Sequence, residues 1–325
     1  MSALPTPPPG DAAGSAATPA GEEGHRLEDR RWWWVVVLVA ATLFWSGGGV
    51  VARAAPIGGP QLAFWRSLVA AALYQGFFAL RGGRMRVETL RSSLLGGIGF
   101  GLSVTALFAA YRTTSFVSVG VIGALQPLML VPISARAHGH RVGARGLALI
   151  VAAVIGTALV VVGATSEGSW SLGGDLLALL GVLLGCGYAM GTKDARRTLG
   201  AVEYLAAAMT ASAVATLPGA VWLGDGWVWP DVSQLLWAVL LVAVGGTGHL
   251  LYAYAQRFLP VVTVSTIVLL EVVELAAASV IFFDESLGAV QFLGIAVSLV
   301  ALGLFVRHEA DLDGEVVSPT PPLET

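Results

Sequence analysis

The sequence has little charge. Asp, Glu, Lys and Arg make up only 12% of its 325 residues, whereas soluble domains carry about a quarter. Hydrophobic residues account for 56%, and the mean hydropathy is +0.77. A water-soluble chain of this size could not bury so much apolar surface, so lipid must be the solvent for most of it. The formal net charge is −3, and no run of basic residues is present. This charge pattern excludes nucleic acid as a partner.

Cysteine is almost absent as well. The single thiol, Cys186, excludes an intrachain disulfide and most thiolate metal sites. His249 has no second ligand four residues away, so neither a metal nor another cofactor is predicted. The N-terminus lacks the basic start and apolar core of a signal peptide. Residues 1–30 and 309–325, rich in Pro, Gly or acidic residues, are predicted to be disordered cytoplasmic tails.

Long apolar runs dominate the rest of the chain. A helix needs roughly 20 apolar residues to cross a bilayer. Ten runs approach that length: 32–52, 61–80, 93–112, 115–135, 144–163, 173–192, 202–223, 234–255, 261–283 and 288–306. The sequence therefore predicts an all-α integral membrane protein with ten transmembrane helices.

The basic residues give these helices an orientation. With the N-terminus in the cytoplasm, fifteen of the 18 basic residues fall on the cytoplasmic side. Only Arg53 and Arg112 fall outside, and Arg66 lies within the second span. Cytoplasmic loops are expected to carry this excess. We therefore predict a multi-pass protein of the plasma (cytoplasmic or inner) membrane with both termini in the cytoplasm.

The chain repeats itself with a shift of 145 residues. Residues 101–150 align with residues 246–295, and Ala110, Arg112 and Leu125 fall on identical residues. We predict two five-helix repeats, at residues 31–163 and 164–308. Since five is odd, the copies have opposite orientations in the membrane. Inverted repeats of this kind allow alternating access, because each half can adopt the conformation of the other.

Local motifs within this layout carry a resemblance. They are Phe-Trp-Arg-Ser at residues 64–67, Leu-Gln-Pro-Leu at 125–128, and Phe-Asp-Glu-Ser-Leu at 283–287, followed by Gln291 and Gly294. With them, residues 32–306 resemble the EamA-type family of the drug/metabolite transporter superfamily. Two positions depart from the family pattern: His140 stands at the first-repeat position matching Glu285, and Val272 replaces a proline after Glu271.

The resemblance implies a solute carrier, since many members export amino acids, other small metabolites or drugs. It also implies a central cavity lined by helices 1–4 and 6–9, with helices 5 and 10 behind as support.

Two carboxylates lie deep in the ninth span. Glu271 and Glu274, three residues apart, share one helical face. A charge at a helix centre costs roughly 2.5–3.5 kcal/mol on insertion scales, so such residues usually face the bundle or water. Two neighbouring carboxylates cannot both ionise cheaply there, which is a property that a proton-coupling group needs. The alternatives are substrate contact and a structural hydrogen bond between helices.

Arg66 lies about five residues inside the end of the second span, roughly 7.5 Å deep at 1.5 Å per residue. Either it pairs with Glu274 or its fork of N–H groups binds a substrate carboxylate. The alternative is that the side chain extends to the membrane surface.

Further polar candidates follow from the repeat. Gln126 aligns with Glu271, and Tyr111 aligns with Gln256. His249, Tyr252 and Gln256 are spaced three to four residues apart, so they share one face that would line an aqueous cavity. Ordinary packing is the alternative for each of them.

The predicted function is a secondary transporter that moves small metabolites, amino acids or drug-like amphiphiles by alternating access, as an exporter. No nucleotide-binding domain is recognised, so a proton gradient or facilitated diffusion must drive it. The partners are a small-molecule substrate, membrane lipids and protons, and a homodimer is left open. The alternatives are a membrane receptor or scaffold, for which inverted duplication serves no purpose, and an intramembrane enzyme, for which no catalytic constellation is found. The chain is therefore predicted not to be an enzyme.

Overall fold

The computed structural model describes residues 20–123, 125–126, 128–130, 143–164, 170–223, 227–259, 264, 267–268 and 270–317. Over these residues every regular element is a helix. The helices are α1 Ala20–Ala54, α2 Gly59–Leu80, α3 Val87–Thr113, α4 Phe116–Gly123, α5 Ala144–Ala164, α6 Leu172–Ala195, α7 Ala201–Trp222, α8 Val232–Ala255, α9 Leu270–Phe283 and α10 Ala289–Val317.

Seven of the described helices are long and apolar enough to cross a membrane: α1, α2, α3, α5, α6, α7 and α8. The apolar parts of α4 and α10 are shorter, and α9 has 14 described residues. The predicted all-helical membrane architecture is confirmed, whereas ten crossings stay a prediction. Helix α8 contains one π-helical segment, Val242–Gly246, and such segments are frequent at functional sites.

The two outermost helices extend beyond the predicted spans. Helix α1 begins at Ala20 and α10 ends at Val317, so residues 20–30 and 309–317, predicted as disordered, have helical backbone here. Within residues 20–30, Glu, Leu and Arg favour a helix, and within residues 309–317 Glu, Ala and Leu do the same. The rest of both predicted tails lies outside the described residues.

Contacts between helix termini define two ends of the bundle. At the first, which we call the Arg53 end, Arg53 of α1 hydrogen-bonds to the carbonyl of Thr114 beside α3, and Thr114 in turn contacts Asp175 at the start of α6. At the second, the Arg196 end, Arg196 after α6 donates to the carbonyl of Ala253 in α8. Helix α1 therefore ends where α6 begins, so the first helices of the two repeats run in opposite directions.

The symmetry between the repeats is visible in single contacts. Ser67 of α2 and Ser212 of α7 are 145 residues apart, and their Oγ atoms lie 2.9 Å from each other. Ser298 of α10 donates at 3.3 Å to the carbonyl of Ala153 in α5, again 145 residues away. Equivalent residues can touch only where they lie near the axis that relates the copies. The α2–α7 and α5–α10 contacts therefore mark that axis.

Glycines allow α3 and α6 to approach closely. A Cβ added to Gly191 of α6 would overlap the backbone nitrogen of Gly96 in α3 and lie 2.6 Å from its Cα. Helices in lipid gain little from hydrophobicity when they associate, so they rely on such close van der Waals packing. The bundle surface exposes large apolar side chains that face lipid, among them Leu73, Val151, Leu183, Val214 and Val300.

This packing gives a stability prediction. We expect Gly191→Ala to lower the free energy of unfolding by about 1–3 kcal/mol, the usual cost of overpacking. Gly76→Ala is the matched control, because no atom lies within 4 Å of a Cβ at that exposed α2 position. Thermal unfolding in detergent measures both. Equal melting temperatures for the two variants would contradict the α3–α6 contact.

Candidate substrate cavity

A cavity of about 190 Å³ lies between the two repeats. Its wall is formed by α1, α2, α3, α4, α6, α8, α9 and the residues that follow α4 or precede α9. Among the described residues, none from α5 or α10 lines the cavity. Helix α7 contributes none either, although the implied lining included it. Its small residues pack instead against α2 and α3.

Six of the eight candidate residues line this cavity: Arg66, Tyr111, Gln126, His249, Tyr252 and Glu271. They come from four helices, α2, α3, α8 and α9, and from the segment after α4, and the fold brings them to one place. Pro127, next to Gln126, lies outside the described residues.

Arg66 is buried, and no counter-ion pairs with it among the described residues. Its side chain is 2% exposed, and its guanidinium carbon lies 4.7 Å from the centroid of the Phe100 ring. The Nε and Nη1 atoms have no hydrogen-bond partner among the described residues. The side chain therefore does not extend to the membrane surface. Because an unpaired buried charge is costly, a guanidinium with two free donors on a cavity wall is suited to an anionic ligand.

Glu274 faces away from Arg66 in this structure. It accepts hydrogen bonds from Thr42 Oγ1 at 3.1 Å and from Ser46 Oγ at 2.7 Å, both on α1. The hypothesis that Arg66 pairs with Glu274 is therefore not realised here. Residues three apart on a helix point about 60° apart, which is enough to direct Glu271 into the cavity and Glu274 toward the neighbouring helix.

Glu271 places a carboxyl group on the cavity wall. Its side chain is partly buried and lines the wall. Among the described residues, no Lys or Arg lies within salt-bridge distance of it. The cavity thus carries a guanidinium contributed by α2 and a carboxylate contributed by α9, one from each repeat.

Aromatic rings form much of the remaining wall. His249 lies against Trp45, Phe100 and Tyr188, with ring centroids 4.6–5.4 Å apart, and its Nδ1 lies 3.1 Å from the hydroxyl of Tyr188. Sequence reasoning missed Trp45, Phe100 and Tyr188. One signal was available, because Trp45 and Tyr188 lie inside spans rather than at the interfaces where Trp and Tyr concentrate.

Gln256 lies outside the cavity wall. It is the C-cap residue of α8, one turn beyond Tyr252, and is not among the lining residues. The face predicted from His249, Tyr252 and Gln256 therefore reaches the cavity only through its first two members. Gln256 lies too close to the end of α8 to reach the cavity.

The sequence matches the family model of the EamA-like transporter family twice, over residues 32–162 and 172–307. These two matches cover most of the chain. The protein belongs to the EamA-like transporter family.

Comparison with solved structures agrees on the fold. One crystal structure, titled only "Crystal structure of protein", is 18% identical, covers 88% of this chain and 99% of its own, and superposes with a TM-score of 0.58. In all, 28 chains of solved structures match. The search of curated proteins finds no match.

In this EamA-like transporter the cavity lies where the two matched units meet. Arg66 and Gln126 belong to the first unit, and His249 and Glu271 to the second. The charged groups break the repeat symmetry, since the position 145 residues after Arg66 is Ala211 and the position 145 residues before Glu271 is Gln126. The repeats share a fold, and the polar chemistry of the wall differs between them.

Proposed function

We propose that this EamA-like protein is a secondary transporter that binds small solutes carrying a carboxylate or similar anionic group. The observation that carries the proposal is Arg66, buried on the cavity wall with two nitrogens that have no partner in the part of the chain that the structure describes. A solute anion would satisfy those donors through charge-assisted hydrogen bonds. Alternating access would carry the solute across, since the cavity lies between inverted repeats.

Glu271 extends the proposal in two directions. A carboxylate in the wall complements an ammonium group, so a solute with both charges, such as an amino acid, would contact Arg66 and Glu271 together. Alternatively, Glu271 exchanges a proton during the cycle and couples transport to a proton gradient. Its place in the wall, away from any Lys or Arg of the described residues, supports both ideas. A small metabolite or a drug-like amphiphile with a single anionic group would contact Arg66 but not Glu271.

The orientation and direction are proposals as well. The distribution of arginine and lysine supports an extracytoplasmic Arg53 end, cytoplasmic termini and residence in the plasma membrane. Export is the direction we propose, with membrane lipids around the bundle. The competing functions are those of a receptor, a scaffold and an intramembrane enzyme. None of these functions needs a buried guanidinium such as that of Arg66 in a cavity between inverted repeats.

An untargeted comparison of metabolites tests this proposal. Cells that express the protein and cells that do not would be analysed for intracellular and released solutes at two external pH values. We expect at least one anionic or zwitterionic solute to be released only when the protein is present. If no solute changes at either pH while the protein resides in the membrane, the proposal is wrong.

A further inference from the structure

A buried ion pair lies beyond the cavity at the Arg53 end. Arg53 Nη2, in the last turn of α1, is 3.0 Å from Glu285 Oε1, which follows α9. Glu285 also accepts hydrogen bonds from the backbone nitrogens of Phe116 at 2.8 Å and Val117 at 3.2 Å, the first two residues of α4. One carboxylate thus joins the ends of α1 and α9 to the start of α4.

Arg53 makes further contacts with the same helices. Its guanidinium carbon lies 4.6 Å from the ring centroid of Phe283 and 5.6 Å from that of Phe116, and Nη1 donates to the carbonyl of Thr114 at 3.4 Å. The side chains of the Arg53–Glu285 pair are only 17% and 5% exposed. A partly buried ion pair is screened less by salt than a surface pair. The Coulomb attraction between Arg53 and Glu285 is therefore stronger than that of an ordinary surface ion pair.

Packed rings fill the space between this pair and the cavity. Phe116 is fully buried, with ring centroids 5.0 Å from Tyr111 and 4.9 Å from Phe283. A Cβ on Gly49 would lie 3.2–3.4 Å from Phe116, Tyr111 and Leu275, so the helices leave little room there. Tyr111, Gly49 and Leu275 belong to the cavity wall. Phe116 therefore lies between these wall residues and Phe283, which contacts Arg53.

A second polar tie joins the same two helices nearer to the cavity. Glu274 of α9 accepts from Thr42 and Ser46 of α1. Ser46 precedes Arg53 by seven residues, about two helical turns. The α1–α9 contact therefore has polar ties at two levels.

The equivalent contact at the other end would involve residues 131–142 and 260–263, which lie outside the described residues. The sequence and the contacts of Arg196 nevertheless distinguish that end. Arg196 ends α6 as Arg53 ends α1, but it donates to the carbonyls of Leu199 and Ala253. The positions 145 residues before Glu285 and Glu274 are His140 and Met129, so the first repeat has neither carboxylate. Among the described residues, Cys186 Sγ lies 4.0 Å from the carbonyl of Gln126, a weak polar contact.

We propose that Arg53 and Glu285 form a latch that holds the Arg53 end of the cavity closed, and that this latch must open in every transport cycle. Because the other end lacks the matching carboxylates, the resting protein keeps its cavity shut toward the Arg53 end. Opening that end separates α1 from α9 and α4, which breaks the ion pair and frees the backbone nitrogens of Phe116 and Val117. The latch does not depend on what the cavity binds.

Cysteine labelling tests the latch without a known substrate. Among the glycines at which no atom lies within 4 Å of an added Cβ, three suit this test: Gly123 in the cavity wall, exposed Gly58 between α1 and α2, and exposed Gly200 between α6 and α7. Each would be changed to cysteine in a Cys186→Ala background. A membrane-impermeant thiol reagent would be applied to the side of the membrane from which Gly58→Cys reacts. Gly200→Cys lies at the Arg196 end, so it would react only if the reagent crossed the membrane.

We expect Gly123→Cys to react at least tenfold more slowly than Gly58→Cys from that side. Adding Arg53→Gln or Glu285→Gln should raise the rate at Gly123→Cys about tenfold and leave the rate at Gly58→Cys unchanged. Arg53→Lys, which keeps the charge, should retain slow labelling. Arg197→Gln is the matched control, because it removes an exposed arginine whose nearest carboxylate is 3.8 Å away.

Two results would overturn the latch. One is fast labelling of Gly123→Cys before any latch variant is introduced. The other is a rate that stays low in both Arg53→Gln and Glu285→Gln, with melting temperatures showing that both variants are folded. If only Glu285→Gln fails to fold, Arg53→Gln decides the outcome, because it leaves the hydrogen bonds from α4 to Glu285 in place. A failure of the metabolite comparison would leave these labelling results unaffected.

Discussion

Replacing Arg66 by glutamine is expected to reduce transport at least about tenfold. A hydrogen bond to a charged group is worth about 1.5–3 kcal/mol, and 1.4 kcal/mol is a factor of ten in affinity. Glutamine keeps part of the side-chain volume and loses the positive charge. The initial rate of movement of the solute found by the metabolite comparison, measured in vesicles that contain the purified protein, gives the effect. Arg84→Gln, at an exposed position between α2 and α3, is the control and should transport normally.

The same substitution separates a functional role from a structural one. Two nitrogens of Arg66, Nε and Nη1, have no hydrogen-bond partner among the described residues. Removing an uncompensated buried charge should leave thermal stability unchanged or raise it, because apolar replacements of buried charges are often neutral or stabilising. Arg66→Met should therefore melt at or above the temperature of the unaltered protein while it transports poorly. A variant that melts far lower and transports in proportion to its folded fraction would show that Arg66 is structural.

Replacing Glu271 by glutamine is expected to abolish uphill transport while solute exchange continues. Glutamine mimics a carboxyl group that cannot release its proton, so the variant could bind solute and reorient but could not use a proton gradient. Vesicles with an imposed pH gradient give the accumulation ratio, and labelled solute moving against unlabelled solute gives exchange. We expect accumulation to fall to the level of protein-free vesicles and exchange to stay within about threefold, a loss below 1 kcal/mol.

Glu274→Gln is the control for Glu271. Glu274 bonds to two hydroxyl groups of α1, so its loss should lower the free energy of unfolding by about 1–3 kcal/mol and leave coupling in place. Uphill transport by Glu271→Gln at the normal level would exclude this residue as the coupling group. Loss of both accumulation and exchange would indicate that Glu271 binds the solute directly.

Much of the architecture could be predicted from the sequence because lipid imposes simple constraints. A span needs a fixed length of apolar helix, and a duplicated chain with five helices per copy must invert. Those constraints predict the approximate helices and the inverted repeats, and the local motifs at residues 64–67, 125–128 and 283–287 add the family. The helical backbone of residues 20–30 was not predicted, because the Ala, Pro and Gly upstream of them are typical of disorder.

The direction in which each side chain points was harder to predict, for a physical reason. A helix that is apolar all round shows no buried face in its sequence, so rotation about the helix axis is set by packing alone. Glu271 and Glu274 share a face by spacing, yet the first faces the cavity and the second faces α1. The aromatic wall at Trp45 and Tyr188 was missed for the same reason. The pairing of Arg53 with Glu285 joins residues more than 200 positions apart, which no local pattern indicates.

The central claim is that one cavity between inverted repeats carries a solute by alternating access. An exchange assay tests this claim most directly. Labelled solute is trapped in sealed vesicles in which the purified protein is the only protein. Unlabelled solute added outside should accelerate the release of labelled solute to a saturating rate. The reason is that the cavity can bind unlabelled solute outside and reorient in the loaded form. Release that is indifferent to the outside solute, or no release beyond that of protein-free vesicles, would contradict the account.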